Sequence, residues 1–391
     1  MVAQAKLIST LGLAMRERGD LARALKLQQS AAELDPDNFQ IQINLGVALQ
    51  DLNQIDKAIE AFAKAIHLSV GQNTDSHSMA QLNHCMASMR LKPSFELFNS
   101  FLVRWQVKRW PQQPYQSPTT HWLGTDNFDF ERLLIMPDQG HGDNMMSLPA
   151  IAWLAAQAPG KLTVLVKEPL LRLFKVALGH LNVDVVIEFK GKASGWLTGL
   201  DILGVYSQAL NHYPESRQQI ENKLQAHFQS YHQSDVAPNA KAVALCWRGN
   251  PDYALDRWRT LPMQDLLHAA QTSPQTVHVL PLLVDLKDPE LAALNQTGLP
   301  WSAPQGDFLE TAMLMMQAQS VWTADSACTH LAGLCGVPAW VGVSLLGDWR
   351  WPVASGPCTW YPKVQVYRQA ELQNWKPYVN LFKKWLRQGY S

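Results

Sequence analysis

A repeat of 34 residues in the first third of the chain restricts its fold more than any other feature. Mostly small and apolar residues recur at this separation: Leu11, Gly12, Met15, Ala24, Gln28, Ala31 and Leu34 correspond to Leu45, Gly46, Leu49, Ala58, Phe62, Ala65 and Leu68. Within each unit the apolar positions keep the spacing of a helical face, which predicts two antiparallel helices. The small residues let these helices pack closely, and Pro36 ends the first unit because proline cannot continue a helix.

The period and pattern resemble the tetratricopeptide repeat. Two units bury their faces only against each other, which is too little for a stable solenoid. The segment from 79 to about 110 is helical in pattern without the register, and it predicts a degenerate third pair that caps the stack. We therefore expect an α-helical repeat domain over 1–110. Its role stays open between docking of a protein partner or acceptor and bracing of the remaining chain.

Balanced charge and cysteine usage limit the classes of function. The 33 Lys and Arg side chains are matched by 33 Asp and Glu side chains, so charge gives no case for nucleic-acid or membrane-surface binding. The chain has no run of about 18 apolar residues, and its N-terminus lacks the pattern of a signal peptide. The five cysteines form no C-x-x-C pair, which favours buried thiols in a reducing compartment and gives no zinc signature. We expect a cytoplasmic protein without a transmembrane segment.

The periodicity changes after a linker at 111–127 that is rich in Pro, Gln, Ser and Thr. Short apolar runs then alternate with helical patterns, first at 133–136, 163–166 and 183–187, and again after Pro238 at 242–247, 277–280, 320–323 and 339–343. Such alternation predicts α/β structure with parallel sheets. We expect two Rossmann-like doubly wound domains, over 128–236 and 237–391, with a cleft between them, which is the GT-B arrangement. By analogy, a last helix at about 374–387 would return to the first of these domains.

The first stretch that carries chemistry, at 137–144, lies between a predicted strand and a predicted helix. Gly140 and Gly142 allow the backbone to turn tightly and approach a ligand, and Asp143 is placed at or near the helix N-cap. The stretch is not a dinucleotide fingerprint, because Met145 occupies the position of the third glycine. The alternative is a purely structural turn with a capping aspartate.

The second stretch, at 247–251, follows a strand, and Arg257 and Arg259 lie in the loop beyond it. Planar guanidinium groups such as those of Arg248 and Arg259 match the oxygens of a diphosphate. Asn250 lies in the same loop. The alternative is a set of solvated loop arginines.

The third stretch, at 323–333, opens a helix directly after an apolar strand. Asp325 and Ser326 stand at the N-terminus of that helix, where free N–H groups and the helix dipole favour a phosphate. His330 lies one turn further on and faces the same way as Ser326. The alternative is an ordinary N-cap followed by a core histidine with satisfied hydrogen bonds.

In this order the three stretches resemble the heptosyltransferase-related glycosyltransferases of family nine, in the branch fused to tetratricopeptide repeats. The tail of the match comprises 348–351, 360–362 and 368–369. Some positions depart from the family pattern. Asp138 replaces Glu, Ser326 replaces Thr, and Thr260 replaces the Ser after the arginine. Tyr253 stands where a His is frequent, and His141 stands where a small or apolar residue is more usual.

The resemblance implies inverting transfer of a hexose or heptose from a nucleotide-diphosphate donor to an acceptor hydroxyl, without a cofactor or metal. The first α/β domain would face the acceptor and the second would bind the nucleotide sugar. Asp143 would be the general base. The nucleotide-sugar-binding residues would be Gly140, Gly142, Arg248, Asn250, Arg259, Asp325, Ser326, Thr329 and His330. No D-x-D metal motif lies in the α/β part, and the acceptor would be a glycan, a lipid-linked sugar or a protein.

Three alternatives remain open at this point. The repeats could present a polypeptide, which would make the chain a protein O-glycosyltransferase. The α/β part could be a degenerate, non-catalytic fold that serves as a scaffold beside the repeats. A sugar-nucleotide epimerase with the same two-lobed fold is the third.

Overall fold

The computed structural model describes residues 1–72, 74–108, 120–123, 128–230, 236 and 239–388. The chain divides into two compact units. A helical unit contains the described residues up to 108 together with Leu345–Val353 and Ala370–Leu372, and an α/β unit contains the rest. The predicted linker at 111–127 falls largely outside the described residues, as does residue 237, the predicted start of the second α/β domain.

The helical unit contains the predicted repeat pairs and a third pair after them. Its helices are α1 (Val2–Glu17), α2 (Leu21–Leu34), α3 (Phe39–Asp51), α4 (Ile55–Leu68), α5 (Thr74–Met89) and α6 (Phe95–Phe101). The repeated glycines lie where the helices of a pair approach each other. A Cβ on Gly12 would lie 2.6 Å from the Gln28 side chain, and one on Gly46 would lie 2.5 Å from the Phe62 ring. The close packing inferred from the sequence is therefore present in both 34-residue repeats.

A segment from the far end of the chain packs within the helical unit. The ring of Trp349 lies 5.8 Å from that of Phe98 and 5.6 Å from that of Phe101, measured between centroids. The Asn53 side chain donates a hydrogen bond of 2.8 Å to the Val353 carbonyl. Sequence analysis assigned this segment to the second α/β domain, since nothing in its composition indicates which unit it packs in.

The α/β unit contains two sheets, of which the first has the strand order β3-β2-β1-β4 with parallel neighbours. Its strands are β1 (Arg132–Met136), β2 (Lys161–Leu165), β3 (Val183–Val186) and β4 (Gly195–Thr198), and its helices are α7 (His141–Gln157), α8 (Leu171–Leu178), α9 (Gly199–Val205) and α10 (Tyr213–Gln229). The sequence predicted β1, β2 and β3 but not β4, whose four residues include two small ones and give no apolar run.

The second sheet has the order β6-β5-β7-β8-β10-β9. Its strands are β5 (Lys241–Cys246), β6 (Val277–Pro281), β7 (Ser320–Ala324), β8 (Ala339–Val343), β9 (Gly356–Pro357) and β10 (Val364–Arg368), and its helices are α11 (Asp256–Arg259), α12 (Met263–Gln271), α13 (Asp288–Thr297), α14 (Phe308–Met315), α15 (Ala327–Cys335) and α16 (Lys376–Arg387). Only β9 pairs antiparallel among the described strands. Every residue of β5, β6 and β7 is buried, as expected for parallel strands covered on both faces. The predicted fold class, a helical repeat region followed by parallel-sheet α/β structure, is confirmed.

The last helix, α16, packs in a different place from the one that the GT-B analogy predicted. It packs on α12 and on the second sheet, where Phe382 lies 5.0 Å from Trp322 between ring centroids and the Tyr378 hydroxyl donates to the Trp340 carbonyl at 2.8 Å. The apolar face of the helix is therefore buried against its own half of the unit, where the analogy predicted a return to the first half.

Two further expectations concern burial. All five cysteines are reduced and buried, as predicted. Among the described residues, no helix is both long and apolar enough to span a bilayer.

Candidate functional site

The predicted site residues follow strands that lie at the topological switch point of each sheet, where the order of strand addition reverses. In the first sheet the chain moves from β1 to β2 and β3 on one side and returns to β4 on the other side of β1. In the second sheet β5 is flanked by β6 and β7 in the same way. Crevices outside the carboxyl ends of parallel strands at such switch points are where open α/β sheets bind ligands. The turns after β1, β5 and β7 hold the three sequence motifs.

The turn after β1 is fixed by two polar side chains. Gly140 is the N-cap residue of α7, and its N–H donates to Asp143 Oδ2 at 2.7 Å. Asn144, which is buried, accepts from the Asp138 N–H at 3.0 Å and donates to the carbonyls of Asp138 and Gly140 at 3.1 and 2.6 Å. Asp143 therefore stands three positions after the cap, half-buried, with its carboxylate fixed across the turn. Sequence reasoning missed Asn144, although an amide beside a glycine turn is a typical backbone partner.

His141 occupies the first position of α7. Its ring lies 5.1 Å from that of Phe308, in an edge-on arrangement. Burial lowers the pKa of His141, as does the positive charge of Lys167, while Asp143 acts in the opposite direction. His141 is therefore neutral in the folded protein at pH 7.

Asp256 organises the turn after β5. Its Oδ1 accepts from the Gly249 N–H at 3.1 Å and from Arg259 Nε at 2.9 Å, and the residue is buried. A Cβ on Gly249 would lie 2.2 Å from Arg259 Nη2, so a larger residue there would displace the guanidinium from this position. The Arg259 guanidinium also lies over the ring of Tyr253, at 4.6 Å from the centroid. Sequence reasoning missed Asp256, whose role depends on this fold of the loop.

The charges that act on Arg259 include the carboxylate of Asp325, which belongs to the third stretch, at 323–333. Burial lowers the pKa of Arg259, but the carboxylates of Asp325 and Asp256 outweigh it and raise the pKa above its usual value. The structure therefore brings Arg259, from the turn after β5, near Asp325, from the turn after β7.

Arg248, from the same turn after β5, forms ion pairs with two carboxylates near α13. Its Nε and Nη2 donate to Glu290 at 2.8 and 3.0 Å, and its guanidinium also contacts Asp285. The hydrogen bonds that Arg248 donates to Glu290 and Asp285 raise its pKa despite its burial. Asn250, the other polar residue predicted in this loop, is exposed and accepts from the Asp252 N–H at 3.0 Å. The guanidinium of Arg248 thus fixes the loop to α13.

The turn after β7 begins α15. Ser326 is the N-cap residue, and its Oγ accepts from the Cys328 N–H at 3.3 Å and lies 3.4 Å from Cys246 Sγ. Thr329 is fully buried and donates to the Ala324 carbonyl at 3.2 Å. The Thr329 hydroxyl is thus engaged with the backbone of the turn.

His330 connects the third motif to the first. A Cβ on Gly142 would lie 2.8 Å from His330 Cδ2 and 3.4 Å from Nε2, so the ring edge that carries Nε2 faces the glycine turn. On the opposite edge, Nδ1 lies 2.9 Å from the Tyr361 hydroxyl. The glycine turn of the first half and the helix of the second half therefore meet at this histidine.

Comparison with known proteins begins with the repeat. The family model described as tetratricopeptide repeat matches residues 15–72. The first third of the chain contains tetratricopeptide repeats. A curated relative, Protein FlbA of Caulobacter vibrioides, is 25% identical over 402 aligned residues, covering 95% of this chain and 65% of that protein. The chain thus spans about two thirds of the length of this relative.

Solved structures similar to the chain include glycosyltransferases. A family-nine glycosyl transferase from Veillonella parvula matches at 13% identity and a TM-score of 0.39, over 62% of this chain and 87% of its own. The E. coli heptosyltransferase WaaC with ADP-2-deoxy-2-fluoro heptose matches at 14% and 0.43, over 65% and 98%. The Thermobaculum terrenum O-GlcNAc transferase matches at 12% and 0.28, over 88% and 77%. Because these TM-scores are below 0.5, we take the function from the side chains of this chain.

Proposed function

We propose that the chain is a glycosyltransferase that moves a sugar from a nucleotide-diphosphate donor to an acceptor hydroxyl, with inversion and without a metal ion. The contact between Gly142 and His330 carries this proposal. It joins two strand–helix turns, each at the switch point of its own parallel sheet. A substrate bound at these turns would contact both halves of the α/β unit at once, as a reaction between a donor and an acceptor requires.

The donor diphosphate would bind at the turns after β5 and β7. The N-terminus of α15 offers backbone N–H groups and the positive end of a helix dipole, which stabilise phosphate oxygens. Arg259 adds a positive charge, and its hydrogen bond to Asp256 fixes the orientation of the guanidinium group. Hydrogen-bond donors that the protein holds in place before the reaction stabilise the charge that develops on a leaving diphosphate. Asp325 and His330 would contact the ribose and sugar side of the donor.

Asp143 would be the general base. Its carboxylate takes the proton of the acceptor hydroxyl while that oxygen attacks the anomeric carbon. The bond from the anomeric carbon to the diphosphate breaks, and the nucleoside diphosphate leaves with the electron pair. The 2.7 Å hydrogen bond from the Gly140 N–H to Oδ2 orients the carboxylate. A positioned base of this kind contributes a factor of about 10²–10⁴ in rate.

The repeat region bears on the class of acceptor. The tetratricopeptide repeats supply a helical surface suited to a polypeptide, which favours a protein acceptor over a free glycan as the second candidate. Mass spectrometry of proteins from cells that express the chain would detect an added hexose or heptose. Cells that express Asp143→Asn are the matched control.

Calorimetric titration of the full chain with a panel of nucleoside diphosphates tests the donor site. We expect one nucleotide to bind, and Arg259→Ala to weaken it by about 1–3 kcal/mol, the value of a charge-assisted hydrogen bond. Arg257→Ala, which removes a neighbouring exposed arginine, is the matched control and should bind with unchanged affinity. If no nucleotide binds, the proposal is wrong and the non-catalytic scaffold becomes the better explanation.

A further inference from the structure

The outer face of α1, which we define by Leu7, Leu11 and Ala14, is apolar and largely exposed. Leu7 is 71% exposed, Leu11 is 49% exposed, and Ala14 is half-buried. Their spacing places them along one stripe of the helix. Single exposed apolar residues are common on protein surfaces, but a terminal repeat usually presents a polar face to solvent. An apolar stripe on the first helix of the stack therefore needs an explanation.

The 34-residue period shows how this face is used one repeat later. Leu7, Leu11 and Ala14 correspond to Ile41, Leu45 and Ala48 of α3. Ile41 is 2% exposed and packs with Ala5 and Ala31 of the first repeat, and Ala48 is 3% exposed and lies in one apolar cluster with Leu25. In α3 this face therefore stacks on the preceding helix pair, whereas in α1 the same face is open to solvent.

The surface that α3 packs on defines the chemistry of the occupant that α1 would accept. Ala5 and Ala31 are fully buried there, and Ser9, also buried, accepts a 3.0 Å hydrogen bond from Asn44 of α3. Thr10 stands in α1 at the position of Asn44. The outer face of α1 is therefore complementary to two antiparallel helices that present alanine and serine side chains.

A second copy of this chain does not offer such a surface, because its own Ala5, Ser9 and Ala31 are buried. We propose that the outer face of α1 binds a partner protein that carries one further tetratricopeptide helix pair, so that the repeat stack continues from one molecule into the other. The proposal does not depend on sugar transfer, since all of its residues lie in the helical unit.

Fluorescence anisotropy with a labelled peptide of residues 1–38 is the first test. This probe contains α1, α2 and the turn after them, and so carries the alanine and serine surface. We expect it to bind the full chain, and the double variant Leu7→Lys with Leu11→Lys to abolish binding. Leu91→Lys, which changes another leucine of the helical unit that is 49% exposed, is the matched control. Equal binding to the double variant would overturn the proposal.

Isolated short helices are marginal in water, so the proposal also needs a test in which the added helix pair is attached. A tandem duplication of residues 5–38 in the full chain places a second helix pair before α1 at the period of 34. The added copy carries Lys6→Arg, at an exposed position, so that its peptides differ in mass from those of α1. Hydrogen exchange of α1 should slow by at least about tenfold, because burial of two leucines protects by more than that.

The double variant in α1 should return exchange in the duplicated chain to the wild-type rate. If the peptide does not bind, the duplication decides, and unchanged exchange of α1 there would overturn the proposal. Sedimentation velocity of the wild-type chain tests the other occupant. A dimer that Leu7→Lys with Leu11→Lys dissociates would assign this face to a second copy and would also overturn the proposal.

Discussion

Gly142 and His330 are packed so closely that a methyl group on Gly142 would lie 2.8 Å from the imidazole Cδ2. Real side-chain carbons avoid such a distance, so either the ring or the N-terminus of α7 would have to move. Both carry residues of the proposed site.

Gly142→Ala should therefore lower stability and nucleotide affinity together. Alanine is favoured over glycine in a helix by about 0.5–1 kcal/mol, whereas overpacking costs about 1–3 kcal/mol, so the net change is destabilising. Chemical denaturation and calorimetric titration measure the two effects. In Gly140→Ala the atom nearest to the new Cβ would be Asp143 Oδ2, at 3.0 Å, and a smaller loss of stability is expected. Equal losses in both variants would contradict the role given to the His330 contact.

Asp256→Asn should weaken nucleotide binding although Asp256 is not expected to touch the nucleotide. Asparagine keeps an oxygen for the Gly249 N–H but loses the charge that fixes Arg259. We expect the dissociation constant to rise about tenfold, which corresponds to about 1.4 kcal/mol. Asp265→Asn, at an exposed position of α12, is the matched control. Wild-type affinity in Asp256→Asn would show that Arg259 needs no fixed orientation.

Asp143→Asn should separate the two roles of this residue. The amide oxygen can still accept from the Gly140 N–H, so the turn and nucleotide affinity should be retained. Asparagine cannot take up a proton, and turnover should fall by a factor of about 10²–10⁴. Single-turnover sugar transfer, measured beside titration of the nucleotide, gives both quantities. Turnover within a factor of about two of the wild type would exclude Asp143 as the base.

Glu290→Gln should change how stability depends on pH. Hydrogen bonds from Arg248 and Trp247 outweigh the effect of burial and hold the pKa of Glu290 at about 2, below its usual 4.5. A carboxylate with a lowered pKa stabilises the folded state above pH 4.5, and this contribution is lost as the pH falls from 4.5 toward 2. The variant should lose about 1–3 kcal/mol at pH 7 and show a shallower decline in acid. Urea denaturation at several pH values measures this, with Glu168→Gln at an exposed carboxylate as control.

Sequence periodicity predicted the architecture well because it reports burial directly. The 34-residue repeat gave the helix pairs, and the apolar runs gave seven of the ten strands named above. It missed the strands β4, β9 and β10, and it gave the wrong packing partner for α16. The four residues of β4 carry no pattern of their own, and the partner of α16 depends on which apolar surface is nearest in the folded chain.

The sequence by itself determined which residue types follow each strand, since glycine turns, arginines and a helix N-cap are local features. Only the tertiary structure decided which of them act together. It directed Arg248 to Glu290, fixed Arg259 through Asp256, and placed His330 between Gly142 and Tyr361. The physical reason is that hydrogen bonds and close contacts depend on distances in space, and the contacting residues Gly142 and His330 are 188 positions apart along the chain.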